Sequence, residues 1–190
     1  MAYIELNNPL PGITGLLENR LDTAAPIRAL TQILLRGENT LTPMERELIA
    51  TIVSYRNQCR FCMRAHAATV LALGGTQELL DAIYQGPEHA PVSEKMKSLL
   101  LIGAEAQASG KSVKPAHIAR AKEAGATAEE IHDTVLIAAL FCLYNRYVDG
   151  LNTYCPEDPA YYEKLASRLA SIGYDRPKDP RVRAGEEKFK

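Results

Sequence analysis

Apolar residues recur along most of this chain at three- and four-residue steps, the spacing that keeps them on one face of an α-helix, and no stretch alternates long enough to predict a strand. Between Ala24 and Arg36, the residues Ile27, Leu30, Ile33 and Leu34 follow that period and stop at Gly37, which suits a helix end. Thr42-Pro43-Met44-Glu45 reads as a capping box with proline at the first helical position, opening a helix through Leu48, Ile49, Ile52 and Val53. Polar Arg56-Asn57-Gln58 predicts a bend before a second helix over 59–73, closed by Gly74-Gly75. Further helices are predicted from Thr76 to about Tyr84, from Ser93 to Ser109, from Pro115 to Glu123 and over roughly 159–171. Thr127-Ala128-Glu129-Glu130 is a second capping box. It opens the longest apolar helix, expected to be central, with Ile131, Val135, Ala138, Ala139, Cys142, Leu143 and Tyr147 on its buried side.

The expected fold is therefore an all-α helical bundle. One domain over residues 1–172 is followed by a polar, proline-containing tail, 173–190, expected to be disordered or packed on a neighbouring subunit. A hydrophobic content of 46% in 190 residues is enough to build one core. The net charge is −1, from 22 Lys+Arg against 23 Asp+Glu, and no basic block suggests nucleic acid as a partner. No segment approaches the ~18 uninterrupted apolar residues of a membrane span. The first residues lack the basic and then apolar regions of a secretory signal, so a cytoplasmic protein is expected. There a Cys-x-x-Cys pair is catalytic or metal-binding more often than structural.

That pair is the chemistry-bearing feature. At about 100° per residue, Cys59, Cys62 and His66 fall within roughly 60° of one another on a helix. Two thiols and one base on one face suit a dithiol redox centre: one thiol attacks, the second closes the disulfide, and the base handles the proton. A thiol with an ordinary pKa is only about 3% thiolate at pH 7, so something nearby must favour ionisation. Helix-end electrostatics favours Cys59 as the more acidic thiol, while proximity to His66 at i+4 favours Cys62. Glu47, on the preceding helix, folds back beside the thiols if the chain bends at 56–58, and could orient His66 or act as the terminal base. Tyr55 and Phe61 are close enough in sequence to line a substrate pocket. Arg146 and Asp149 form an i,i+3 pair, read as a brace or interface element.

Glu47, eleven intervening residues and then Cys59-x-x-Cys62-x-x-x-His66 resemble the signature of the AhpD-like alkylhydroperoxidases, within the carboxymuconolactone decarboxylase superfamily. The stretches Leu41-Thr42-Pro43-Met44-Glu45-Arg46-Glu47 and Tyr144-Asn145-Arg146-Tyr147-Val148-Asp149-Gly150-Leu151 resemble its peroxidase-related branch. The resemblance implies an AhpD-like helical bundle, assembled as a homo-oligomer (dimer, trimer or hexamer), with the motif in a cavity partly closed by neighbouring subunits. It implies a thiol-dependent hydroperoxide reductase with an antioxidant role. Cys62 would attack the peroxide, Cys59 would resolve the sulfenic acid, and Glu47 and His66 would relay the proton. No metal or other cofactor is needed. An external dithiol, such as a lipoyl protein, thioredoxin or a small thiol, would re-reduce the pair. Phe61 departs from the family, whose best-studied members carry a histidine just before the second cysteine. An aromatic hydrocarbon ring cannot carry a proton, so the relay is shorter here or uses water.

Three other readings fit the same residues. Cys59, Cys62, His66 and Glu47 supply four ligands for a tetrahedral metal site, although most lie on one helix. A lyase of the decarboxylase kind would keep the fold without the redox use. A redox sensor would form the disulfide without turnover.

Overall fold

The computed structural model describes residues 2–176, which among themselves form helices and no strand. The nine α-helices are α1 (Gly12–Asn19), α2 (Leu21–Arg36), α3 (Pro43–Arg56), α4 (Arg60–Ala72), α5 (Gln77–Gln85), α6 (Glu94–Ala108), α7 (Pro115–Glu123), α8 (Ala128–Gly150) and α9 (Pro159–Ile172). The capping boxes at Thr42 and Thr127 form as read: each threonine side chain accepts the amide three residues on, and Glu45 or Glu130 returns to the threonine's own amide. The sequence pattern did not announce α1, whose eight residues include two glycines, and α2 begins three residues before the predicted start, ahead of Pro26.

The most deeply enclosed helix is α3 rather than α8. Every residue from Arg46 to Ser54 is buried, and α4, α6 and α8 pack around it. Such a helix keeps polar residues only where partners satisfy them. Arg46 donates to the carbonyls of Leu34 and Gly37, at 3.1 and 3.0 Å, so its cation closes the C-terminal end of α2. Thr51 returns its hydroxyl to the carbonyl of Glu47 at 2.8 Å.

Part of the predicted buried side of α8 faces outward: Val135, Ala139 and Leu143 are exposed. Thr134, Ile137, Phe141, Tyr144, Asn145 and Val148 are buried instead. The helix is apolar around most of its girth, so hydrophobic periodicity alone does not choose its inner face. α4 is covered by α9, whose Tyr161 and Tyr162 rings stand 6.2 and 5.9 Å from the ring of Phe61. Arg60 and Arg64 of α4 both reach Glu157, just before α9.

Of the expected tail, residues 177–190 lie outside the described residues. Residues 173–176 run back along the same chain. Tyr174 N–H donates to Gln32 Oε1 at 2.7 Å, and Arg176 pairs with Glu18 at 2.6 Å. No helix among the described residues is long and apolar enough to cross a membrane.

Candidate active site

The bend after α3 sets the site. Gln58 takes a left-handed conformation, φ 58°, and the amide of Cys59 returns to the carbonyl of Ser54 at 3.1 Å. The chain thereby turns back and lays α4 against α3. Cys59 is the N-cap of α4, with extended backbone, so the angular count that placed it on the helical face does not describe it. Cys62 is the third helical residue. N-cap and N3 side chains face each other, which is the geometry of a capping box with two thiols in place of hydroxyl and carboxylate. Both thiols are free and buried, at the helix end whose unpaired amides carry partial positive charge.

His66, one turn beyond Cys62, is buried, and its Nδ1 lies 2.6 Å from Glu47 Oε2. The other Glu47 oxygen accepts Arg36 Nη2 at 2.7 Å and the Tyr174 hydroxyl at 2.5 Å. Burial opposes ionisation of Glu47, but His66, Arg36 and the Tyr174 hydroxyl outweigh it and hold the carboxyl below its ordinary range. The Phe141 ring meets the imidazole edge-on at 4.5 Å.

The Cys62 thiol is pushed well up. Its hydrogen bond with Cys59, its burial and the charge of Cys59 all oppose its ionisation, as does Asp149, and Asn145 pulls the other way. Asn145 is fully enclosed: it accepts from Asn57 at 2.7 Å and donates to Ser54 at 3.2 Å, while Gln107 in turn donates to Asn57 at 2.8 Å. Asp149 has its own carboxyl raised by partial burial, against a hydrogen bond with Cys59. Arg146 does not complete the expected pair. It donates to the carbonyl of Cys142 at 3.1 Å.

Cys62 and His66 open on a cavity of about 60 Å³, walled by Ile13, Leu17, Phe61, Ala65, Leu165 and Leu169. Arg28, Arg168, Tyr144 and Tyr174 add its polar rim. Tyr144 shares a short hydrogen bond with Thr31, and burial pushes its phenol up to about 12, so it stays protonated at neutral pH.

Phe61 thus lines the cavity. Tyr55 does not: it is on the outer face of α3, stacked on Tyr84 of α5 at 4.4 Å, because α3 turns its other sides to α4 and α8. Arg36 and Tyr174 were missed as site residues. Arg36 resembles any basic residue at a helix end, and Tyr174 sits in a polar run; an aromatic in such a segment was the one available signal. Asn145 carried a clearer sign, as a polar residue at a core position of an apolar helix. Among the described residues no three His, Cys, Asp or Glu side chains converge as a metal site requires. Glu47, the fourth ligand of the metal reading, is instead held by Arg36, Tyr174 and His66.

The all-helical fold of the described residues is AhpD-like. The chain belongs to the carboxymuconolactone decarboxylase family, whose model matches residues 22–88 and again 77–153. A solved structure of an uncharacterized peroxidase-related protein from Silicibacter sp. TM1040 superposes with a TM-score of 0.72 at 24% identity, covering 80% of this chain and 78% of that one. A second, described as an alkylhydroperoxidase AhpD core and an uncharacterized peroxidase-related protein from Ralstonia eutropha JMP134, gives 0.72 at 23% identity, covering 83% and 81%. No curated protein matches the sequence.

Proposed function

We propose that this protein is an enzyme that reduces organic hydroperoxides through Cys62 and Cys59. The observation that carries the reading is the facing thiol pair at the start of α4, with the Glu47–His66 hydrogen bond beside it and Cys62 and His66 on one small, mostly apolar cavity. A thiol as reluctant to ionise as Cys62 needs a base, and His66 is one turn away. His66 takes the Cys62 proton. The thiolate attacks the terminal peroxide oxygen, a sulfur–oxygen bond forms as the oxygen–oxygen bond breaks, and the leaving alkoxide takes the proton from His66 to give the alcohol. Cys59 then attacks the sulfenic acid sulfur and expels water, leaving a disulfide. The two thiols lose two electrons and the peroxide gains them. An external dithiol closes the cycle, a requirement that suits the cytoplasm, and a homo-oligomer would complete the cavity rim.

The test is rapid mixing of fully reduced protein with cumene hydroperoxide, following free thiols and intact mass for wild type, Cys59→Ser and Cys62→Ser. Wild type is expected to lose two thiols, and Cys59→Ser to retain a sulfenic acid at Cys62. Thiols that stay reduced, or react no faster than a small free thiol, overturn the reading and leave the non-redox activities of the family to be sought.

A further inference from the structure

Glu47 is completely enclosed, and each of its oxygens is already engaged: Oε1 by Arg36 Nη2 at 2.7 Å and the Tyr174 hydroxyl at 2.5 Å, Oε2 by His66 Nδ1 at 2.6 Å. An ionised carboxylate only accepts, so the proton between Glu47 and His66 rides on Nδ1. Tyr174 has one hydroxyl proton and spends it on Glu47, although the same oxygen lies 3.4 Å from Nδ1. A carboxylate held by three donors and cut off from water is poorly placed to pick up protons and pass them on.

The seat of Tyr174 is built for this contact. Gly173 has φ 76°, a conformation that strains any side chain, and a Cβ there would push aside the Gln32 side-chain oxygen. That same Gln32 oxygen accepts the Tyr174 amide at 2.7 Å. One turn along α2, Arg36 donates through Nε to the carbonyl of Leu169 at 3.2 Å and lies 5.0 Å over the Tyr174 ring. Gln32 and Arg36 therefore hold the chain just after α9 against Glu47.

We propose that Tyr174 and Arg36 are positioning residues that fix the Glu47 carboxylate against His66 Nδ1, so that the imidazole exchanges its proton at Nε2 and the segment following α9 is part of the catalytic machinery. The proposal deepens the thiol-based reading of the site and rests on it. The ionisable groups around His66 are Arg28 from α2, Glu47 from α3 with Arg36 behind it, Cys62 from its own helix, Tyr144 from α8, Arg168 from α9, and Tyr174, while α1 contributes Ile13, Thr14 and Leu17. Among the described residues, the polar atoms that approach Nδ1 belong to Glu47 and Tyr174.

The experiment is a pH titration of His66 by its imidazole nitrogen signals in reduced protein, for wild type, Tyr174→Phe, Arg36→Gln and Arg36→Lys. Loss of the Tyr174 hydroxyl leaves Glu47 with one donor fewer, and a more basic carboxylate binds imidazolium harder. Tyr174→Phe is expected to raise the proton affinity of His66 by about threefold or more. Arg36→Gln moves it further in the same direction, and Arg36→Lys restores much of it. The acid limb of peroxide-driven thiol loss moves to higher pH by the same factor. An unmoved His66 titration in a folded Tyr174→Phe protein, with only a lower melting temperature, overturns the proposal. So does a wild-type His66 carrying its neutral proton on Nε2. The titration needs no peroxide: a wild type that ignores hydroperoxides while its variants shift as stated overturns the peroxidase reading and upholds the positioning role.

Discussion

Glu47 Oε2 and His66 Nδ1 lie 2.6 Å apart although nineteen positions separate them in the chain. Two local features make the contact. The capping box at Thr42 fixes where α3 begins and hence which way Glu47 points, and the left-handed Gln58 reverses the chain so that α4 runs back beside α3. A buried anion in that place is stabilising only while its partners remain.

Replacing Glu47 with glutamine keeps the shape and removes the charge. Arg36 then loses its anion in a buried setting, and stability at pH 7 is expected to fall by about 3 kcal/mol, measured by urea unfolding. The pH dependence follows from the lowered pKa of Glu47 in the folded state. Its stabilising contribution is fully present above the unfolded carboxyl value of about 4.3 and is lost as pH falls through the lower folded value. Wild type is therefore expected to lose more stability than Glu47→Gln between pH 6 and acid pH. Parallel acid limbs would show that Glu47 is not held as an anion.

Much of this site was legible in the sequence because its residues are placed by local rules. The capping boxes, the polar break at 56–58 and the spacing of Cys59, Cys62 and His66 depend on neighbours within a few turns. What escaped depends on long-range packing. Tyr174 reaches Glu47 across 127 positions and Arg36 reaches Leu169 across 133, and no local pattern records such contacts. The inner face of α8 was misassigned for a related reason: with apolar residues nearly all round, the choice between Val135 and Thr134 belongs to the partners α3 and α6. Tyr55 shows the same limit, since nearness in sequence to Cys59 said nothing about which side of α3 carries it.

Gly12 touches the site from outside the motif. Its φ of 55° and the 2.4 Å from a notional Cβ to the Phe61 ring leave no room for a side chain. Gly12→Ala is expected to cost about 2 kcal/mol from backbone strain and overpacking, read as a lower melting temperature. The displaced Phe61 ring borders the cavity, so alkylation of Cys62 should change rate in the same variant. An unchanged melting temperature would show that the α1 turn yields easily.

Asn145 opposes the upward push on Cys62 from inside the buried network of Asn57, Gln107 and Ser54. In Asn145→Ala the thiol loses that help and its neighbours lose a partner. Iodoacetamide labelling of Cys62 at pH 7 is expected to slow by about threefold to tenfold, with its pH profile displaced upward. Stability should fall by about 1–3 kcal/mol as Asn57 and Ser54 are left short of a partner. Labelling that keeps the wild-type profile in a folded variant would assign Asn145 to packing alone.

Asp149 acts with the opposite sign. Its charge raises the pKa of Cys62, and its hydrogen bond with Cys59 ties it to the second thiol. Asp149→Asn removes the charge while keeping the side chain's size, so Cys62 should ionise more readily and its labelling at pH 7 rise severalfold. Turnover need not follow. If the Asp149 carboxylate assists deprotonation of Cys59, the same variant forms the sulfenic acid faster yet closes the disulfide more slowly, and the sulfenic acid accumulates after a peroxide pulse. Mass spectrometry at successive quench times separates the two steps. Faster labelling with unchanged disulfide closure would restrict Asp149 to tuning Cys62, and slower labelling would show that the charge of Asp149 does not hold that thiol up.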